Sequence, residues 1–548
     1  MSLPILDATQ LPVVDSPRGG ATEKIDGRIT LVQLPRVAPS LSYSMTIGFP
    51  LGLGYIASSL ERAGAEVTVV DSLGEGIDQF VVDGDFTICG LSDEETLRRI
   101  PEDSQIIGVT CMYSQEWPWH REIINKIHAR FPNALLVAGG EHISSLPEFS
   151  MRECPGISLC VIGEGEETIC ELLSLRAKNQ DWRKVRGIIY KENGQFIKTP
   201  PRPRIRDVDQ IPWPAWHLFP VEKYHRSGES TGVNQGQTIM PMFGTRGCPY
   251  ECTFCTNPYM YGRSYYTRNP NDVLDEIEHY MKKYGANDFH FYDLTFLTKR
   301  SWVIEFCREI ERRKLKFTFQ LPAGTRSEII NDELVAGLYK SGCLMVSYAP
   351  ESGDKEVLAK IKKQVDLKHL EEAVRASLRN KLKVRVHIVL GFPFETRKQI
   401  FRTMMMAWKM AAIGVCDTIV SVYMPFPGGE LFGQLREDGS IPAIDDDYLK
   451  SLNVATPLSR TNYSKHLSAS ELVAWRLSIY ATFLVIQYLV RPWRFYSLLR
   501  EMWTAKYMTY HSQYFGKMVR YAFGFSKDKA LKDRITVTAD SPSNAVTT

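Results

Sequence analysis

"GTRGCPYECTFCTNP", residues 244–258, sets Cys248, Cys252 and Cys255 in the spacing C-x3-C-x2-C, with Gly247 and Pro249 beside the first thiol and Phe254 before the last. The run "TIMPMF" just before it reads as a strand, so the thiols lie on the loop at that strand's carboxyl end. Three thiolates can hold three irons of a cubane and leave the fourth iron open, whereas structural zinc sites close with four protein ligands. Asn257 is no thiolate, and the nearest downstream histidine, His279, falls in a predicted helix. A zinc site and incidental thiols are the competing readings. The other eight of the eleven cysteines are scattered through apolar or helical contexts and read as small buried hydrophobes.

Downstream, the strand-like runs "DFHFYDLTF", "FTFQLPAGT", "LMVSYAPES", "KVRVHIVLGFP" and "DTIVSVYMPFPG" alternate with helical patterns such as "SWVIEFCREIERRK". Six β-α units in succession predict a partial parallel (β/α)6 barrel over 237–445, with its chemistry at the carboxyl ends of the strands. Upstream, residues 28–180 alternate in the same way and predict an open, Rossmann-like parallel sheet covered on both faces. Ligands of such sheets sit at the strand ends. Those ends carry "TCMYSQEWP" (110–118), "GGEH" (139–142) and "GEGEET" (163–168), and no G-x-G-x-x-G follows the first strand, which counts against NAD or FAD. Residues 181–236 read as a linker that starts with a hairpin-like turn at Asn193-Gly194 and becomes Pro-rich.

Residues 446–530 predict a helical region, opened by a capping box of Ser468 with Glu471. Bases and aromatics interleave there (Arg491, Trp493, Arg494, Tyr496, Arg500, Trp503), the pattern of an amphipathic cap, a substrate lid or a membrane-surface face. The longest apolar run, Leu477 to Val490, is shorter than the roughly 20 residues needed to span a bilayer. Residues 1–27 read as a flexible arm without a signal peptide, which predicts a cytoplasmic protein, and 531–548 as a disordered tail. A net charge of +3 gives no global drive toward nucleic acid.

From Thr238 to about Gly439 the cysteine motif in its barrel context resembles the radical SAM superfamily. "PLGLGYIASSLERAGAEVTVVD", "VAGGEH" and "VIGEGEET" resemble the cobalamin-binding domain that precedes the radical module in cobalamin-dependent members, among them the class B methylases. The resemblance implies that Cys248, Cys252 and Cys255 ligate a [4Fe-4S] cluster whose open iron chelates S-adenosylmethionine (SAM). One electron then cleaves SAM to methionine and a 5'-deoxyadenosyl radical. The resemblance also puts Phe254 near the adenine, Asp293 in the cofactor site at the second strand end, and Arg326 on the SAM carboxylate. Glu351 and Ser352 are assigned to the ribose hydroxyls or the methionyl amine, and 387–396 offers backbone to the adenine, with Glu395 at a following helix start.

A corrinoid is implied over the first sheet, met by Thr110, Tyr113, Trp117, Gly139, Gly140, Glu141, Gly163, Glu164 and Gly165. No D-x-H-x-x-G occurs there, so cobalamin is expected base-off without a protein histidine, with His120 and His142 read as loop or surface residues. The activity implied is methylation of an unactivated carbon in a small-molecule, lipid or natural-product substrate, with flavodoxin or ferredoxin as electron donor. Alternatives are a cyclase or rearrangement enzyme of the porphyrin-ester cyclase type, a tRNA methylthiotransferase, and a non-catalytic corrinoid or iron–sulfur sensor. Nucleic acid is not expected as a partner, and peripheral membrane contact is among the partner readings.

Overall fold

The computed structural model describes residues 25, 27–40, 47–227, 232–234, 237–453 and 461–504, together with 507, 509, 511–513 and 516. The tail expected at 531–548, and the arm expected at 1–27 apart from Ile25 and Gly27, lie outside the described residues.

The first domain is built on five parallel strands in the spatial order Glu66–Asp71, Arg28–Gln33, Ile106–Thr110, Leu135–Gly139, Leu159–Val161. The three middle ones are buried on both faces through most of their length, which is why they read as unbroken apolar runs instead of alternating ones. Two antiparallel strands, Ile188–Glu192 and Gln195–Lys198, extend this sheet to seven, with Cys160 opposite Ile189. The hairpin read as the start of the linker is therefore the edge of the first domain. Its Asn193 and Gly194 both have positive φ, as a tight two-residue turn demands. A three-stranded antiparallel sheet of Arg36–Pro39, Phe80–Asp83 and Phe86–Cys89 was not anticipated, although Gly84 at φ +55° marks its turn. The strap that follows the hairpin is packed, not loose. Trp216 is fully buried against Phe49, and Tyr224 donates to Asp71 at 2.8 Å.

The second domain has the six strands read from the sequence: Ile239–Met242, Asp288–Phe291, Thr318–Thr325, Cys343–Glu351, Lys383–Leu390 and Asp417–Val422. All are parallel and adjacent in sequence order. Alternation divides each strand. Phe289, Phe291 and Phe319 form a buried edge-to-face cluster with Phe306 of helix Arg300–Arg313 and their neighbours, while the alternate positions carry polar groups. Buried Asp288 accepts from Gln320 Nε2 at 2.9 Å and pairs with His290 at 3.0 Å, and Arg385 pairs with Asp417 at 3.2 Å. Such a polar ladder is tolerated because its members are partnered.

Helix Ala469–Val490 opens with the anticipated capping box, Glu471 N–H to Ser468 Oγ at 3.2 Å. Its stripe Leu472, Arg476, Ile479, Phe483 and Gln487 is buried, and its Tyr480 hydroxyl meets both the N–H (2.9 Å) and the C=O (3.4 Å) of Val420 on the outer edge of the last strand. The helix is longer than the apolar run counted in the sequence. Among the described residues it is the one helix long and apolar enough to cross a membrane by length and composition.

Candidate active site: a three-thiol loop facing the first sheet

The ribbon formed by Thr245–Gly247 and Tyr265–Thr267 closes residues 248–264 into an excursion from the first barrel strand. Gly247 has φ +86°, and a Cβ there would overlap the Ser264 carbonyl, so the glycine before the first thiol is required by the close pairing of the ribbon. The loop is pinned on both sides: Thr253 N–H donates to Ile361 O at 3.1 Å, and Leu431 N–H donates to Thr253 O at 2.9 Å. Asp293, assigned to the cofactor site, instead holds this region from below. It is buried, accepts from Gly244 N–H (3.1 Å) and Thr245 Oγ (2.6 Å), and so positions the chain entering the cysteines.

All three thiols are half-buried. Burial pushes Cys255 up to about 12 and raises Cys248 and Cys252 too, with the charges of Lys363 and Arg326 pulling the latter two back. Thiolates are the ligating form, so metal loading must displace protons here. Among the described residues no three His, Cys, Asp or Glu side chains are already drawn together as a ligand set.

Around the loop, Glu351 ends its strand at φ +67° and pairs with Lys363 at 3.0 Å, both nearly buried. Arg326 lies 3.9 Å over the Tyr250 ring, pairs with Glu328 at 2.6 Å and also meets Gln364 O. Its buried Nε and one Nη have no partner. Two donors left so in a buried guanidinium fit a carboxylate ligand. Phe254 sits 5.7 Å from fully buried Phe392.

Ser352 does not face this space: its hydroxyl is buried between Thr403 Oγ (3.1 Å) and Asp354 N–H (3.1 Å), tying two helices together. Glu395 precedes its helix, which begins at Arg397, and accepts from Gly391 N–H at 2.7 Å. It latches the turn after the fifth strand. Sequence reading missed Lys363, which the basic run "KIKK" disguises as a solvent face. It also passed over the side chains of His387 and Ser347, whose Nε2 and Oγ are buried without partners. Burial pushes His387 down to about 3, so it is neutral.

The strand ends of the first sheet abut this loop. Thr256 Oγ donates to Glu141 at 2.5 Å, and a Cβ on Gly163 (φ +76°) would lie 3.7 Å from Met260 O. Glu164, assigned to the corrinoid, is instead the hub of the junction. It pairs with Arg204 and Arg246 at 3.1 Å each and accepts from Ile205 N–H, while Arg246 also bonds Glu166 at 2.5 Å. Thr110 ends its strand half-buried, Tyr113 is 44% exposed beneath Arg36, and Gly139 has open space where a Cβ would stand. Gly165 packs on Ile56. Trp117 is wholly buried and stacked on His142 at 4.6 Å, so it supports the loop from beneath and does not face a ligand. His120 and His142 are buried, not superficial. His142 meets Ser114 at 3.0 Å and Ser150 at 3.3 Å, and His120 meets Pro35 O at 2.9 Å.

Gly140, at φ +109°, would drive a Cβ into the Cys111 carbonyl. Gly140→Ala should lower the stability of the first domain by at least about 1–2 kcal/mol from the left-handed backbone alone, read as an earlier urea transition.

A loop of three cysteines at the open end of a parallel half-barrel, turned toward the strand ends of a nucleotide-type sheet, defines an enzyme that joins an iron–sulfur centre to a second large cofactor. Residues 242–407 match the family model of the radical SAM superfamily, and residues 43–173 match that of the B12 binding domain. The chain is 30% identical over 407 residues to the uncharacterized methyltransferase PH0819 of Pyrococcus horikoshii, covering 74% of this chain and 82% of that protein. It is also 30% identical over 452 residues to the anaerobic magnesium-protoporphyrin IX monomethyl ester cyclase of Cereibacter sphaeroides, covering 81% and 68%. The fold matches the radical SAM methyltransferase TsrM from Kitasatospora setae, solved with cobalamin and a [4Fe-4S] cluster, at a TM-score of 0.63 and 18% identity over 83% of this chain and 91% of that one. The chain belongs to the B12-binding-domain-containing radical SAM family, whose cofactors are a [4Fe-4S] cluster, SAM and cobalamin.

Proposed function

We propose that this enzyme methylates an unactivated carbon of a small organic or lipid substrate, drawing electrons from a flavodoxin or ferredoxin in the cytoplasm. The observation that carries the reading is the junction itself. Glu141–Thr256 and Gly163–Met260 bring the strand ends of the first sheet against the cysteine loop, so one space borders both cofactor sites. When bound, the cluster supplies the electron that cleaves SAM, and cobalamin supplies the methyl carrier.

The chain's own residues hold and screen that chemistry. Cys248, Cys252 and Cys255 ligate, and Arg326 offers its two unpartnered donors to the SAM carboxylate. Glu351, steadied by Lys363, takes the amino group, and Phe254 with Phe392 flanks the adenine. Thr110, Tyr113, Gly139, Gly140 and Gly163 form the floor for the corrinoid. Half-buried His387, which is neutral, and buried Ser347 are hydrogen-bonding groups for substrate inside the barrel. The PH0819 and TsrM likenesses favour transfer of a methyl group. The likeness to the ester cyclase keeps a cyclisation reading as the alternative.

The test is anaerobic incubation of reconstituted protein with cobalamin, SAM and a strong reductant, followed by mass spectrometry. Both 5'-deoxyadenosine and S-adenosylhomocysteine are expected, the latter only with cobalamin. Deoxyadenosine alone would move the reading to cyclisation. With His142 held by two serines and His120 by a carbonyl, the cobalt is expected to bind base-off. The Co(II) electron paramagnetic resonance spectrum should show no nitrogen superhyperfine splitting, and a nitrogen-split signal would refute this part.

A further inference from the structure

We propose that the C-terminal helical face docks on an anionic lipid bilayer, lying on its surface and not crossing it. Among the described residues sixteen large hydrophobic side chains are exposed, and nine of them fall between Leu477 and Trp503. Leu489 is 76% exposed, Tyr496 71% and Trp503 88%. Helix Ala469–Val490 has a mean hydropathy of 1.5 over its most apolar window, yet only 22% of that window is buried. A core helix of that composition would be enclosed; this one presents its apolar side to the outside.

The seam of the helix decides between lying and spanning. Arg397 bonds Glu471 near the start, Trp408 Nε1 donates to Thr482 Oγ at 2.8 Å midway, and Gln487 donates to Cys416 O at 3.1 Å near the end. Arg491 then donates to Ala412 O at 2.8 Å. The helix is fastened to the barrel along its whole length and has no free face for a full wrap of lipid.

Charge selects the occupant. By sequence, residues 477–503, which carry the nine exposed apolar side chains, hold three arginines, Arg491, Arg494 and Arg500, against a single acidic residue. No acidic residue occurs between Glu471 and Glu501, and Glu501 is itself buried. The exposed surface of helix Trp493–Thr504 thus offers Trp493, Phe495, Tyr496, Leu499 and Trp503 beside exposed Arg500. Aromatic amphiphiles with arginine suit the headgroup boundary of an anionic leaflet. A second copy meeting the same face about a two-fold axis would instead set like charges together.

The test is flotation of full-length protein with phosphatidylcholine vesicles made with and without phosphatidylglycerol. The protein should float with the anionic vesicles, be released by carbonate, and stay in solution with the neutral ones. The double variant Leu489→Glu/Trp503→Glu should lose at least about tenfold in partitioning, while Val81→Glu, an exposed apolar site on the first domain, should float like the parent. Matching thermal transitions establish that both variants fold, and Arg500→Glu supplies a milder second variant that should weaken the dependence on phosphatidylglycerol. Flotation that is absent, indifferent to lipid charge, unchanged in the double variant, or resistant to carbonate would each overturn the proposal. So would a concentration-dependent dimer abolished by the double variant without vesicle binding.

Discussion

Cys255→Ala is expected to abolish reductive cleavage of SAM while leaving the fold intact. Cys255 closes the triplet from within a loop whose neighbours are fixed by backbone bonds, Thr253 to Ile361 and Leu431 to Thr253, so removing one sulfur takes a ligand and little packing. Groups that only support a metal ligand typically cost about 10- to 100-fold when removed, and loss of the ligand itself should exceed that. The readouts are 5'-deoxyadenosine formed and iron retained, with Cys307→Ala, a buried thiol on a barrel helix, as the control that keeps both. SAM cleavage surviving in Cys255→Ala would mean the cluster is held elsewhere.

The second large effect is at Lys363. It and Glu351 are 8% and 9% exposed, so Lys363→Met strands a buried carboxylate beside the cysteine loop. Breaking one side of such a pair costs about 3–5 kcal/mol, which urea unfolding would read directly. In the double variant Glu351→Gln/Lys363→Met the uncompensated charge is gone, and most of that stability should return. SAM binding, followed by calorimetry, should remain lost in the double variant if Glu351 takes the amino group. Recovery of both would reduce the pair to a structural role.

The barrel was legible because its strands are apolar runs separated by amphipathic helices, and the thiols because their spacing is chemical. Side-chain direction was not legible. Asp293, Ser352 and Glu164 occupy strand-end positions as read, yet each turns into the protein because a nearby unsatisfied group claims it: the Gly244 and Thr245 amides, the Asp354 amide, and the guanidiniums of Arg204 and Arg246. Nothing in a periodicity distinguishes a carboxylate that meets a ligand from one that meets an arginine 40 or 82 residues further along the chain. The hairpin at 188–198 was seen but assigned to the wrong side of a boundary, because strand pairing across Cys160 and Ile189 is a long-range fact. Trp117 reads as a loop residue but opens the helix Trp117–Arg130, and its burial on His142 depends on a neighbour the pattern does not reveal.

The Tyr480 hydroxyl, which meets both backbone groups of Val420, has a consequence for how this protein can be taken apart. The outer rim of the last barrel strand is a row of amides that would otherwise recruit a strand from another molecule, and one helix of this chain screens it. A version cut after Ser468 would lose that screen and expose a template for intermolecular pairing. Its expected fate is precipitation during expression, and any activity lost with it would report on aggregation and not on the role of the helix in turnover. Questions about the C-terminal region therefore have to be put through surface substitutions that leave Tyr480 on its strand.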